Sequence, residues 1–561
     1  MPEFAICSAP MRRLLPLAVI LAASCARPSG RATPSSPITA AELKHRVEII
    51  ADDSMGGRLP GSRGNIEATD YIAAEFKRMG LQPAGDSGGY LQYVPMISSR
   101  LDTTEHLTVN GAPLAFGTGV IAQNPTNLPL TLDATGVPVV YGGRLGADAK
   151  ALISPDSGAG QIVVFAVALF PDGRPDPRSG RYLPAFHRPP LGIVFVLPVL
   201  PPVTIYSTLK RFSLPRKAGP LGFFLTPLFL QISAPTAGAL FGAPLEKLSV
   251  GARATGQLGG AVRYLPPDTI QARNVVAILP GSDPARRGEY VAMGAHNDHV
   301  GIGAFGIDHD SVRAYNILLA RQHLDGPAAG NPGAQSPTIV VNVDSLRRLR
   351  PPRRDSIYNG ADDDGAGTAS LLAIAQALTK QHPARSILFI SHTGEEQGLL
   401  GSRWYADHTT VPRDSIVAYL NMDLFGHEYN GDSARSGPRY LQSGGARRLS
   451  KELGALIDSV NAGLAEPMAI DYSWDAPGHP SQKYCRSDHA SYARYGIPVA
   501  YFSTGYGVDY HQVTDEPQYL DYAHMARAAT LVYAVALRVA NLDHRPLVDQ
   551  PKPDPTAPCR Q

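Results

Sequence analysis

The sequence predicts an α/β protein: a mixed, mostly parallel sheet with helices on both faces, interrupted by an inserted β-rich domain. Two patterns carry this. From Asn274 onward, strand-like and helix-like segments alternate, as in sheets covered on both faces. Between about residues 107 and 265, short β-branched runs are separated by Gly and Pro, and helical periodicity is weak. The 561 residues, 44% of them apolar, supply a sizeable core and about two to four domains. Lys+Arg and Asp+Glu nearly cancel, 51 against 49. That balance excludes an overall electrostatic nucleic-acid binder and an acidic solvating chain. Fifty-five Gly and 50 Pro predict many loops. Four cysteines are too few for a disulfide scaffold or a thiolate metal cluster, so a metal here must be held by His and carboxylates.

Taken in order, residues 1–25 read as an export leader. Arg12-Arg13 precedes an apolar run over 14–23 that is too short to span a bilayer. Ala22-Ala23-Ser24-Cys25 resembles a bacterial lipobox and predicts a periplasmic or cell-surface protein anchored by lipid at Cys25. An ordinary cleaved signal is the other reading. Residues 26–38 read as a Pro/Ser/Gly tether. Pro198, Pro201, Pro202 and Pro227 interrupt the most apolar later stretches, so no membrane span is expected there.

Residues 39–105 open the main domain with two helices, one from Ala40 and one over 65–79. In the second, Ala68, Ile72, Phe76 and Met79 share a face and Gly80 stops it. The glycine loop at 56–64 has no Walker lysine and reads as a plain turn. Residues 106–265 form the β-rich insertion. The main domain resumes over 266–545, with strands at 275–279, 290–293, 386–390, 417–420 and 499–502 and helices at 368–380, 446–456 and 519–539. Residues 546–561 read as a disordered tail. A bridge between Cys485 and Cys559 is open to the chain, but spacing lends it no support.

Residues with metal-binding and acid–base chemistry gather just past those strands. His296 and Asp298 follow one strand, Glu395-Glu396 a second, Asp423 a third and His511 a fourth, while Asp362-Asp363-Asp364 precedes the 368–380 helix. Open α/β sheets place ligand sites at such strand ends. Nitrogen and carboxylate donors without thiolates suit a catalytic zinc site with room for water, and five of them serve two metals if one carboxylate bridges. Asp298 is placed to fix the His296 tautomer. Glu395 and Glu396 offer one carboxylate to metal and one to proton transfer. Alone, each motif is commonplace: three aspartates usually make a solvated turn, and Glu-Glu suits a helix start.

Read as an ordered series, these motifs carry a resemblance. Gly294-Ala-His296-Asn-Asp298-His, Tyr358-Asn-Gly-Ala-Asp362-Asp-Asp-Gly-Ala-Gly, Gly394-Glu395-Glu396-Gln-Gly, Asn421-Met-Asp423, Arg486-Ser-Asp488-His and His511 through Asp515 resemble the co-catalytic zinc exopeptidase family of the aminopeptidase Y and glutamate carboxypeptidase type. The similarity spans about 40–105 and 266–542. It implies two Zn²⁺ ions bridged by Asp362, one on His296 and Asp423, the other on Glu396 and His511. It further implies Glu395 as general base and Asp298 orienting His296. Tyr484 falls where some family aminopeptidases place an oxyanion-binding tyrosine; a bystander aromatic is the other reading. The implied substrate is a peptide, cleaved at its N-terminus. A carboxypeptidase needing a cationic grip (Arg447, Arg486 or Arg494), a glutaminyl cyclase and a non-catalytic surface lipoprotein are the alternatives. Oligomeric state is not legible.

Two departures stand out. The gap between Asp298 and Asp362 carries an insertion at 303–354, which would wall the substrate cleft. Its Asp308-His309-Asp310 reads as a solvated loop ahead of a third metal site, and its basic run 347–354 as an exposed connector. The 106–265 insertion loosely resembles a protease-associated domain in position and composition.

Overall fold

A computed structural model describes residues 37–561 except 103, 117–118, 124–130, 147–150, 169–182, 185, 187, 189, 199, 201–209, 215–227, 266–267, 322–340, 428–436, 480–481 and 558. The leader, Cys25 and nearly all of the tether lie outside the described residues. Among these residues no helix is long and apolar enough to cross a membrane.

Helix α1 (Ala40–Ile50) starts where Thr39 caps Glu42 N–H, and α2 (Arg63–Arg78) where Ser62 caps Asn65 N–H. The main sheet then takes β1 (Leu91–Arg100), β2 (Asp268–Leu279), β3 (Tyr290–His296), β4 (Ser386–His392), β5 (Ile416–Met422), β6 (Tyr440–Gly444) and β7 (Val499–Ser503). Their order is β1-β2-β4-β3-β5-β7-β6. The four central strands β4, β3, β5 and β7 run parallel, and antiparallel strands flank them. Successive residues of β3 pack on opposite faces: Val291, Met293 and Ala295 against one core, Ala292 against another. A strand buried on both faces is a continuous apolar run, which is why 290–295 shows no alternation.

Further helices are α3 (His309–Arg321), α4 (Gly367–Leu378), α5 (Leu400–Asp407), α6 (Lys451–Ala462) and α7 (Tyr522–Ala540). Helix α4 is apolar almost all round and accordingly buried along its length among α1, α7 and the sheet. Helix α6 starts five residues later than periodicity suggested, because Ser450 caps Leu453 N–H and ends the preceding turn.

Among the described residues the inserted segment builds its own cores and sheets, one of five strands and one of four. It is not wholly separate, since Lys210–Ser213 adds an edge strand to β1. The described residues of the expected disordered tail, 546–557 and 559–561, are attached to the main domain. Cys559 is disulfide-bonded to Cys485, and the Gln561 side chain accepts from Tyr484 N–H at 2.9 Å.

Candidate active site

The parallel centre of the sheet delivers its strand ends to one place. His296 ends β3, Glu395 and Glu396 follow β4, Asp423 follows β5, and the loop after β7 carries His511. All but the partly exposed Glu395 and Glu396 are buried, and they surround the Ala361–Ala366 turn, in which three aspartates point three ways.

That turn corrects the expected bridge. Asp363, not Asp362, stands between the two halves of the site. Its Oδ1 lies 3.1 Å from His296 Nε2, and its Oδ2 lies 2.7 Å from His511 Nε2. Asp423 Oδ1 is 3.8 Å from His296 Nε2, and Glu396 Oε1 is 2.9 Å from His511 Nε2. Asp362 instead accepts from Gly426 N–H at 2.5 Å. Asp364 accepts from His296 N–H at 2.9 Å and Gly367 N–H at 3.0 Å. The turn is pinned by Asp515, whose carboxylate accepts from the backbone N–H of both Asp362 and Asp363 at 2.8 and 3.2 Å.

Asp298 reaches His296 through its backbone: His296 Nδ1 meets the Asp298 carbonyl at 3.0 Å, and the carboxylate lies at 3.6 Å. That carboxylate accepts from Glu395 N–H at 3.1 Å and so holds the Glu395 backbone. Burial pushes the Glu395 carboxyl well above the usual carboxylate range; nearby Asp423, Asp488 and Asp363 push the same way while His296 opposes them. Beside it opens a cleft of about 280 Å³, close to the smallest ligand pockets. Asp363, Glu395, Glu396, Asp423 and Tyr510 line it.

Tyr484 does not line this cleft. It packs in the core under Arg448, whose guanidinium lies 4.3 Å from the ring centroid. Its neighbours Lys483, Cys485 and Arg486 line the cleft instead. The sequence motifs contain three residues without assigning them a role: Asp363, hidden by its two identical neighbours; His299; and Arg58. Arg58 is completely buried in the glycine loop, and its guanidinium donates to the carbonyls of Ile50, Asn297, Asn359 and Gly360. It ties the loop after β3 to the aspartate turn.

The 303–354 insertion buttresses the His511 loop. Asp509 accepts from Arg313 at 2.6 Å and Asn316 at 2.7 Å, both on α3, and Glu516 meets His309 at 2.8 Å. His309 and Asp310 are only 1% and 5% exposed, which corrects the solvated-loop expectation. The basic run is no free connector either. Arg347 pairs with Asp308, Arg350 with Asp310 at 2.6 Å, and Arg353 sits against both His309 ring nitrogens. That guanidinium thus lies against the His309, Asp355 and Glu516 group.

Residues 274–536 match the family model described as Peptidase family M28. Leucine aminopeptidase 1 of Aspergillus fumigatus is 27% identical over 226 residues, covering 37% of this chain and 54% of the relative. A probable leucine aminopeptidase 2 of Aspergillus oryzae is 33% identical over 155 residues, covering 26% and 28% respectively. The chain thus spans about half or less of the length of these curated relatives. The solved aminopeptidase from Aneurinibacillus sp. strain AM-1 superposes with a TM-score of 0.53 at 16% identity, covering 92% of this chain and 97% of that one, and shares the fold.

Proposed function

From the match of residues 274–536 to the model of Peptidase family M28, we propose that the chain is a zinc-dependent exopeptidase of that family, an aminopeptidase that removes N-terminal residues from peptides. One observation carries the reading: the Asp363 carboxylate joins His296 and Asp423 on one side to Glu396 and His511 on the other. The donors fit zinc. They are imidazoles and carboxylates, and His296 Nε2 and Glu396 Oε1 are buried without a hydrogen-bond partner among the described residues. Two zinc ions held there would supply Lewis acidity and bring the pKa of an attacking water toward about 7.

The protein's own part is acid–base chemistry and positioning. Glu395 takes a proton from the attacking water and returns it to the leaving amine, a role typically worth about 10²–10⁴-fold. Asp298 fixes its backbone by accepting from Glu395 N–H. Asp298 also holds the His296 ring through its carbonyl. Export is supported by the leader pattern at 1–25 and by the Cys485–Cys559 disulfide, which suits an oxidising compartment.

A carboxypeptidase is the second reading, and one observation favours it. Arg486 lines the cleft, whereas Arg447 pairs with Asp458 and Arg494 with Asp407. A carboxylate grip is therefore at hand. Hydrolysis of leucine p-nitroanilide by the full chain, abolished by a chelator and by Glu395→Gln with zinc retained, is the expected result. Cleavage of N-blocked peptides ending in glutamate, with leucine p-nitroanilide untouched, would select the second reading. Full activity in Glu395→Gln would remove the proposed base.

A further inference from the structure

We infer that His299 is a further metal ligand, which gives the ion on Glu396 and His511 a fourth protein donor. The inference rests on the two-zinc reading above. Three residues past His296, the chain turns so that His299 N–H donates to the Arg58 carbonyl at 3.2 Å. The turn brings the His299 ring to Oδ2 of Asp363, while His296 faces Oδ1.

The ring is fully buried, and neither of its nitrogens has a hydrogen-bond partner among the described residues. Nδ1 lies 2.8 Å from Glu396 Oε1 and 3.9 Å from Asp363 Oδ2. His511 Nε2 has the same two neighbours, at 2.9 and 2.7 Å. Two imidazoles thus converge on one pair of carboxylate oxygens, with all four donor atoms within 4.8 Å of one another. The 2.8 Å approach is not an aligned hydrogen bond, because Glu396 Oε1 is left without a partner as well. Atoms that close yet not aimed at each other share a focus, and donors at about 2.0–2.2 Å from one zinc ion produce that arrangement.

The backbone keeps the ring there. Gly360 has φ +58°, and a Cβ on it would come within 2.5 Å of His299 Cγ, so only glycine leaves the slot the imidazole fills.

The two ions are then inequivalent. One has four protein donors, the pattern of a closed site, and the other, on His296, Asp363 and Asp423, keeps a position open for substrate. Zinc-edge X-ray absorption on the intact two-zinc protein tests this without any substitution. Three imidazoles shared across two ions are expected, and two would overturn the assignment. Equilibrium dialysis against buffered zinc gives a second readout. His299→Ala should weaken one of the two zinc sites by more than about 100-fold, beyond the 10–100-fold typical of losing a hydrogen-bonding partner of a ligand. A smaller loss in a variant with unaltered circular dichroism overturns it. If the unsubstituted chain binds fewer than two zinc ions at saturation, the two-zinc reading itself fails and the inference falls with it.

Discussion

Removing the tail disulfide is the perturbation whose size follows most directly from the structure. Cys559→Ser opens a loop of 74 residues. In the chain-entropy treatment, closing a loop of that length costs the unfolded chain about 4.4 kcal/mol at 25 °C. How much of this reaches the folded protein depends on whether the tail stays docked when cut loose. Gln561 donates to the carbonyls of Trp474 and Ala476 at 3.2 Å, and its side-chain oxygen accepts from Tyr484 N–H. Leu547 N–H is held by Glu452 at 2.8 Å. These bonds keep the tail in place, so Cys559→Ser should lose about 3–4 kcal/mol. Guanidinium unfolding followed by tryptophan fluorescence, with the Cys485→Ser/Cys559→Ser pair as control, measures it. Because Cys485 lines the cleft, KM should rise more than kcat falls. A stability change under about 1 kcal/mol would mean that the freed tail undocks in the folded protein and would refute the loop-closure reasoning.

Three further outcomes are expected. Asp363→Asn should strip the metal centre and lower kcat/KM by at least about 10³-fold, whereas Asp362→Asn should keep its zinc and lose chiefly stability; metal analysis beside kinetics decides, and the reverse pattern would restore Asp362 as the bridge. Asp509→Asn cuts the link from α3 to the His511 loop and should weaken zinc binding about 10–100-fold with the fold intact, read by zinc titration and circular dichroism. Arg78 and Arg46 hold Glu75 down to about 2 from 4.5. Its contribution is therefore complete above pH 4.5 and lost as pH falls toward 2. Glu75→Gln should be less stable by about 1–2 kcal/mol at about pH 7, after allowance for partial exposure, and equal to the parent near about pH 2. A stability gap that persists at the acid end would rule out this linkage.

Much of the main domain was legible because its signals are local. Strands buried on both faces appear as apolar runs, helices as periodic ones, and His296, Glu395, Glu396, Asp423 and His511 each follow a strand whose direction sends them to one edge of the sheet. The order of those residues along the chain therefore determined the fold class and the composition of the site.

What the tertiary structure decided is orientation and pairing. In Asp362-Asp363-Asp364 the composition is uniform, and only the turn pinned by Asp515 selects which carboxylate faces both halves of the site. His299 looked like text in a motif until the chain's turn at Arg58 aimed it at Glu396. Tyr484 sits in a short helical turn that presents Lys483, Cys485 and Arg486 to the cleft and buries the tyrosine, as the bystander reading expects. The insertion and the tail read as loose because their anchors, Asp509, Glu516 and Cys485, are distant in sequence. Sequence records which groups are available. Which of them meet depends on backbone direction at each turn and on contacts between segments hundreds of residues apart, neither of which has a local signature.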